Sequence, residues 1–162
     1  MINSDACYIP LNDESIQMVV TSPPYFNLRD YSTGDDIREV GLESAFDCKG
    51  SVTGNFCEKC YVCRTLSWVS EVKRVLRPDG LFFLNLGDKY NGSGGSGGDY
   101  NKGGLRDGQP GYGRTNLGSL KSKDLVGVPW AVAFTIRDVL GLYLRNELIW
   151  WKRNAYPERS VS

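Results

Sequence analysis

The sequence predicts an α/β fold, in which helices pack against a sheet of buried strands. Residues 16–20 are rich in β-branched side chains and end in the apolar run Met18-Val19-Val20, which is typical of a strand buried on both faces. Residues 61–76 carry apolar side chains three and four positions apart, as one face of a helix does, and residues 81–86 form a second apolar run. A helix, a tight turn and a strand in succession are the repeating unit of an α/β sheet.

The bulk composition is that of one ordinary globular domain. The chain has 162 residues, of which 41% are hydrophobic and 23% charged. No apolar run approaches the ~20 residues of a membrane span, and no signal-peptide pattern opens the chain, so a cytoplasmic location is expected. The 19 basic and 19 acidic residues cancel, so any contact with nucleic acid must come from a local patch or from sequence outside this chain. The lack of histidine excludes Ser-His-Asp and Cys-His catalysis and histidine metal ligands.

The first helix has clear signals at its end. Lys73 and Arg74 lie in its last turn, where cations complement the helix dipole. Pro78-Asp79-Gly80 predicts a turn between this helix and the strand that starts at Leu81. The helix and the second strand are therefore expected to be close neighbours in the fold.

A glycine-rich segment separates this unit from the rest of the fold. Residues 91–118 contain 11 of the 19 glycines, which predicts a flexible loop over residues 89–120 because ordering so much glycine costs backbone entropy. The α/β pattern resumes with a second helix, from Pro129 at a first helical position to Gly141, which ends it. Residues 143–151 predict a third strand, with Trp150 facing the core.

Residues 22–25, Ser-Pro-Pro-Tyr, directly follow the first strand. Each proline fixes its own φ angle and moves the residue before it out of the helical region, so Ser22 and Pro23 are expected to be extended. Such a rigid arm holds a hydroxyl, a backbone carbonyl and an aromatic ring at fixed mutual positions. Many strands end at a Pro-Pro turn without any further role, and for the motif alone this alternative stays open.

An exocyclic base amine is a group that this arm could activate. Its lone pair is delocalised into the ring, and two acceptors that hold its hydrogens would draw the nitrogen toward tetrahedral geometry. The Ser22 side-chain oxygen and the Pro23 carbonyl are the candidate acceptors, and the Tyr25 ring could stack on a base taken out of the duplex. Positioning and electrostatics would supply most of the rate, without histidine or metal.

Four cysteines lie within residues 46–63, and their spacing is C-x8-C-x2-C-x2-C. They are Cys48, Cys57, Cys60 and Cys63. In a reducing compartment such a cluster indicates metal binding rather than disulfides. Four thiolates at about 2.3 Å would complete a tetrahedral zinc site, which would be structural because no coordination position stays open. The alternative is that Cys63 is simply packed at the helix start and that the others are loop thiols.

In order and spacing, the segments of this chain resemble the S-adenosylmethionine-dependent DNA amino-methyltransferases. Residues 19–25 with 28–31 are similar to the catalytic motif IV of that family, and residues 71–88 to its next helix, turn and strand. Residues 124–130 and 148–154 are similar to its later segments. The resemblance implies a partial Rossmann-like methyltransferase sheet in the permuted, beta-type order, to which the cysteine-rich insertion and the glycine-rich loop are added.

The resemblance also implies a reaction and its residues. S-adenosylmethionine would donate a methyl group to an amine of a flipped DNA base, with four catalytic residues: Ser22, Pro23, Pro24 and Tyr25. Asp5 stands where the family often has an acidic residue near the cofactor, although an exposed loop aspartate is an equal alternative. Trp151 and Lys152, at the end of the last predicted strand, are candidate DNA contacts.

The resemblance leaves two points open. In this family a Ser-Pro-Pro-Tyr motif favours the N4 amine of cytosine, while Asp-Pro-Pro-Tyr favours the N6 amine of adenine. The family's Phe-x-Gly-x-Gly cofactor segment is absent here, so residues 1–162 are expected to be the N-terminal, catalytic half of a larger enzyme. The cofactor motif and the target-recognition sequence would then follow residue 160. The alternative is a catalytically incomplete fragment, or a zinc-stabilised module that binds nucleic acid or protein.

Overall fold

The computed structural model describes residues 2–26, 57, 60–92, 120–151 and 153. These residues contain two strands and two helices in α/β order. Strand β1 spans Ile16–Thr21, helix α1 Tyr61–Val75, strand β2 Leu76–Leu84 and helix α2 Val128–Leu140. The predicted first strand and both predicted helices are confirmed to within a residue or two. No helix in this part of the chain is long and apolar enough to cross a membrane.

The two strands pair in parallel and form a two-stranded sheet. Parallel neighbours need a crossover connection, which α1 provides. The register pairs Ile16 with Leu76 and then Met18 with Leu81, so β2 bulges between these two pairs. Pro78-Asp79-Gly80 lies inside this bulge, and β2 therefore begins at Leu76, five residues earlier than predicted. The prediction of a turn between helix and strand is therefore wrong, because these three residues form an irregularity within the strand.

Within the described part of the chain, the helices cover one face of the sheet only. Phe82 on that face packs edge-on against Trp68 of α1, with their ring centroids 6.2 Å apart. On the opposite face Met18 pairs with Leu81 and Val20 with Phe83, and all four side chains are exposed. The prediction that β1 is buried on both faces is thus wrong, since 57% of Met18 and 67% of Val20 are accessible to solvent. Side chains alternate along a strand, and the helices lie against only one set.

The core lies between the two helices. Leu66 and Val69 of α1 and Val128 and Val132 of α2 are fully buried in one cluster. The three- and four-residue spacing of apolar positions in both helices is what brings these side chains to a common interface. Phe26, which follows the Ser-Pro-Pro-Tyr arm, is buried in the same cluster.

Arg74 fixes the segment that precedes β1. Its guanidinium donates to the backbone carbonyls of Ile9 and Leu11, at 2.7 and 2.9 Å. It also forms ion pairs with Asp13 at 2.6 Å and Glu71 at 2.8 Å. The hydrogen bond from Arg74 lowers the pKa of Glu71 below its ordinary value. The start of the chain is therefore held at the end of α1.

Asn91 joins the two ends of the glycine-rich segment. Its side-chain amide donates to the carbonyls of Leu120 and Lys121, at 2.8 and 3.2 Å. Its backbone exchanges hydrogen bonds with Asp124 and Lys123, at 2.7 and 2.8 Å. Most of the predicted flexible loop lies outside the described residues, because residues 93–119 are not among them.

The predicted third strand is not formed. Residues 143–151 have no strand hydrogen bonding, and 72% of Trp150, which was expected in the core, is exposed. A strand is stable only beside a partner that satisfies its backbone groups, and among the described residues the sheet consists of β1 and β2 alone. The alternating pattern of this segment therefore has no neighbouring strand to pair with in the part of the chain that the structure describes.

Candidate active site at the carboxyl edge of the sheet

The Ser-Pro-Pro-Tyr arm leaves the sheet at the carboxyl end of β1. Because β1 and β2 are parallel, Ser22 and the segment after Leu84 emerge at the same edge. The amide of Asn85 donates to the carbonyl of Thr21 at 2.9 Å, which extends the pairing up to the arm. Ligands of open α/β sheets bind at this edge, in the crevice outside the carboxyl ends of the strands.

Within the arm the structure brings Ser22 and Tyr25 together. The Ser22 hydroxyl donates to the Tyr25 hydroxyl at 3.0 Å. Ser22 is exposed, whereas Pro23 and Tyr25 are half-buried. The hydroxyl groups of Ser22 and Tyr25 thus lie together at a solvent-accessible position, and Ser22 is adjacent to Pro23 in the chain.

Tyr61 anchors the arm to helix α1. Its hydroxyl donates to the carbonyl of Pro24 at 2.9 Å. Its ring meets the ring of Phe26 edge-on, with centroids 5.5 Å apart and an interplanar angle of 70°. Sequence reasoning missed this contact, although a buried tyrosine needs a partner for its hydroxyl, and Tyr61 begins the predicted helix.

Asp88, shortly after β2, fixes the start of α2. Its carboxylate accepts from the amides of Gly127 and Val128, at 2.9 and 3.2 Å, and from that of Lys89 at 2.9 Å. Gly127 is in the left-handed region, with φ of 79°, and gives α2 no side-chain cap of its own. A carboxylate at this place satisfies free amides and complements the helix dipole. The missing N-cap residue before Pro129 was the signal that could have indicated an outside cap.

Three of the four predicted metal ligands come together at the start of α1. The Sγ atoms of Cys57, Cys60 and Cys63 all lie within 4.8 Å of one another. Cys60 is the N-cap residue, and its Sγ accepts from the amide of Cys63 at 3.2 Å. The Sγ of Cys57 accepts from the amide of Cys60 at 3.4 Å. Cys48 lies outside the described residues.

This geometry suits a thiolate-bound metal. Ligands of a tetrahedral zinc at about 2.3 Å are about 3.8 Å apart, so small side-chain rotations would bring the three sulfurs into range. Amide donors and a helix N-terminus both favour the thiolate form that binds metal. Cys60 and Cys63 are buried and Cys57 is half-buried, as expected for a structural site rather than an open one.

The remaining predicted site residues lie on the surface or outside the described part. The Asp5 carboxylate accepts from the amide of Cys7 at 2.8 Å and so forms a local turn. Trp151 is exposed, and the Arg153 guanidinium lies 5.8 Å from its ring centroid. Lys152 is outside the described residues.

Several known proteins are similar in sequence to this chain over most of its length. Type II methyltransferase M.XycI from Xanthomonas campestris pv. cyanopsidis is 40% identical over 147 residues, which are 89% of this chain and 42% of that protein. M.SmaI from Serratia marcescens is 36% identical over 91% of this chain and 45% of its own length. M.Cfr9I from Citrobacter freundii is 37% identical over 89% of this chain and 42% of its own length.

The chain thus spans less than half the length of these curated relatives. No solved structure matches it significantly. The family model described as DNA methylase matches residues 16–161, which include both strands and both helices of the described residues. The resemblance to DNA amino-methyltransferases is confirmed, and the chain belongs to the DNA methylase family.

Proposed function

We propose that this chain is the catalytic half of a DNA methyltransferase that acts on the exocyclic amine of a flipped base. The N4 amine of cytosine is the favoured target and the N6 amine of adenine the alternative. The observation that carries the proposal is the Ser22–Tyr25 pair at the carboxyl end of β1, with a hydroxyl-to-hydroxyl distance of 3.0 Å. This edge of a parallel sheet is where such folds bind their ligands.

The direction of this hydrogen bond suits an acceptor role for Ser22. With its proton directed at Tyr25, the Ser22 oxygen has lone pairs for a hydrogen of the base amine. The carbonyl of Pro23 would accept the second amine hydrogen. The nitrogen, drawn toward tetrahedral geometry, then regains a localised lone pair. The half-buried Tyr25 ring would stack on the base.

The methyl donor in this proposal is S-adenosylmethionine. The amine lone pair forms the new N–C bond while the methyl–sulfur bond breaks and its electron pair stays on sulfur. The positive charge on nitrogen is then removed as a proton to solvent. Asp5 is the residue that we propose to contact the donor, because its carboxylate is exposed and its backbone turn is fixed by Cys7 and Tyr8.

We further propose that the rest of the enzyme supplies the donor pocket and reads the target sequence. The relatives are more than twice as long as their matched regions. The exposed sheet face, with Met18, Val20, Leu81 and Phe83, is the surface on which that remainder would pack. Trp151 and Lys152 would contact DNA, and the exposed ring of Trp151 is available for this role.

The cysteine cluster is proposed to hold one structural zinc ion. Cys57, Cys60 and Cys63 provide three thiolates, and Cys48 is the proposed fourth. The ion would fix the start of α1 and would not contact the reacting groups, because all four ligands would come from the protein.

Transfer of labelled methyl groups tests the proposed reaction. The chain, joined to the remaining half of its enzyme, is incubated with tritium-labelled S-adenosylmethionine and duplex DNA, and the DNA is digested to nucleosides. N4-methylcytosine is the expected product, and N6-methyladenine would select the alternative amine. A methyl group on a ring carbon, or no transfer to DNA, would contradict the proposal.

A non-catalytic, zinc-stabilised binding module is the second candidate. The thiol cluster at the start of α1 favours it. Calorimetry with S-adenosylmethionine separates the two functions. Micromolar binding supports the enzyme, whereas absence of binding combined with affinity for DNA or protein supports the module.

A further inference from the structure

We propose that Tyr61 is a positioning residue for methyl transfer, and that the thiol cluster controls its position. In this view a metal ion on Cys57, Cys60 and Cys63 fixes the first turn of α1, and Tyr61 transmits that order to the Pro24 carbonyl. The inference rests on the proposed function for its catalytic consequence. Its structural part, the coupling of two sites, can be measured without activity.

Tyr61 is joined both to the Ser-Pro-Pro-Tyr arm and to the cysteine cluster. Its hydroxyl holds the Pro24 carbonyl at 2.9 Å, and its ring packs against Phe26. Tyr61 also follows the N-cap residue Cys60 directly in the chain, so their Cα atoms are about 3.8 Å apart. Tyr61 is 5% exposed and Phe26 is 1% exposed, which means that neither ring can move without disturbing the core.

The hydrogen bond from Tyr61 restrains the ψ angle of Pro24, which the proline rings leave free. The rings of Pro23 and Pro24 fix both φ angles, and Pro24 restricts the ψ angle of Pro23 to extended values. The ψ angle of Pro24 has no such restriction, and it decides where the Pro24 carbonyl points and how Tyr25 is oriented. Since Tyr61 donates to this carbonyl, it selects one value of that angle and sets Tyr25 relative to Ser22.

The first turn of α1 depends in turn on the sulfurs. Cys60 accepts from the amide of Cys63 and Cys57 accepts from the amide of Cys60, so two backbone amides are held by prospective metal ligands. Three sulfurs within 4.8 Å of one another can all be thiolates only with a cation between them, because like charges this close repel, and without the metal they lose the ligand that they share. Loss of the metal would therefore loosen the turn that begins with Tyr61.

The catalytic test compares Tyr61→Phe with Tyr143→Phe in the complete enzyme. Tyr61→Phe keeps the ring and removes only the hydroxyl, while Tyr143 is 89% exposed and serves as the matched control. We expect kcat of Tyr61→Phe to fall about 3- to 10-fold, as for one lost neutral hydrogen bond, with KM for DNA unchanged within about 2-fold. A raised KM with unchanged kcat, or no change in either, would overturn the positioning role.

The coupling test combines this substitution with metal removal. Chelator-treated protein and protein reloaded with Zn²⁺ are compared for wild type and Tyr61→Phe, and Cys57→Ser provides a second route to metal loss. We expect metal loss to lower kcat of the wild type by a larger factor than kcat of Tyr61→Phe, because the two changes remove the same constraint. Equal factors in both proteins would show that the sites are independent and would refute the coupling.

Hydrogen exchange of the peptide that contains residues 22–26 gives the same comparison without activity. Metal loss should accelerate exchange of this peptide in the wild type and should add little in Tyr61→Phe. If the complete enzyme fails to methylate DNA but shows this pattern, the proposed function fails and the coupling stands. If it methylates DNA but exchange does not respond to metal, the coupling alone is wrong.

Discussion

The Ser22 hydroxyl donates to the Tyr25 hydroxyl at 3.0 Å, across the two prolines of the arm. This contact gives each side chain a task that depends on the other. Tyr25 accepts the hydrogen bond of the Ser22 hydroxyl, which leaves the lone pairs of the serine oxygen for the proposed base amine, while Ser22 holds the far end of the tyrosine ring. Substitutions at either position should therefore affect the reaction much more than the fold, because Ser22 is exposed and Tyr25 is only half-buried.

Ser22→Ala and Tyr25→Ala should each lower the rate of methyl transfer by orders of magnitude and leave the thermal midpoint within a few degrees of the wild type. Tyr25→Phe keeps the stacking ring and should lose less activity than Tyr25→Ala. Methyl transfer and circular dichroism melting measure the two effects. Ser15→Ala, at an exposed serine before β1, is the control and should retain full activity. Wild-type rates in both alanine variants at residues 22 and 25 would disprove the assignment.

Asp88→Ala should destabilise the protein by about 1–2 kcal/mol, because it removes the outside cap of α2. Asp88→Asn retains an acceptor oxygen and should lose less. Urea unfolding gives both values, and Asp79→Ala is the matched control. Asp79 pairs with Arg77 at the surface, where solvent screening leaves an ion pair little effect on stability. Equal losses in Asp88→Ala and Asp79→Ala would contradict the capping role.

Glu71→Gln should weaken the dependence of stability on acid pH. Arg74 lowers the pKa of Glu71 in the folded protein, so the folded state binds this proton less readily than the unfolded state. The stabilisation is therefore complete above the ordinary pKa of 4.5 and is lost as pH falls through the lowered folded value. Unfolding free energies measured from pH 6 downward should fall more steeply in the wild type than in Glu71→Gln. Parallel curves would show that the ion pair contributes nothing to this dependence.

The purified chain should contain about one zinc ion per molecule, and its cobalt form should show thiolate-to-metal absorption. Cys57→Ser should lose most of the metal. Cys7→Ser is the matched control, since the Cys7 sulfur lies near Ser67, 3.9 Å from its hydroxyl oxygen, and is not part of the cluster. Mass spectrometry of metal content decides the matter. A metal-free wild type, or equal metal in both variants, would exclude the site.

The helices were predictable because their signals are local. Apolar spacing identified α1 and α2, and Gly141 ended the second helix as expected. The cysteine spacing likewise predicted that Cys57, Cys60 and Cys63 lie together, because residues three apart at a helix start are neighbours. In each case the residues that interact lie within a few positions of one another.

The contacts that sequence reasoning missed join residues far apart in the chain. Pro24 and Tyr61 are 37 positions apart, and Asp88 and Gly127 are 39 apart. No periodicity within a segment indicates such partners, because tertiary packing selects them. The prediction of a third strand was wrong for a related reason. The alternating pattern of residues 143–151 is typical of a strand, but it does not indicate whether a neighbouring strand is present to pair with.

Asn91 connects the residues that precede the glycine-rich segment to those that follow it. Since this side chain ties the residues before the segment to those after it, the path of the chain through the fold does not depend on how many residues lie between. The entropy of closing a loop rises only slowly with its length, by ~0.6 kcal/mol for each doubling. Insertions and deletions between residues 93 and 119 should therefore be tolerated by the fold, so that evolution can alter this part of the chain while the Ser-Pro-Pro-Tyr arm and its supports stay in place.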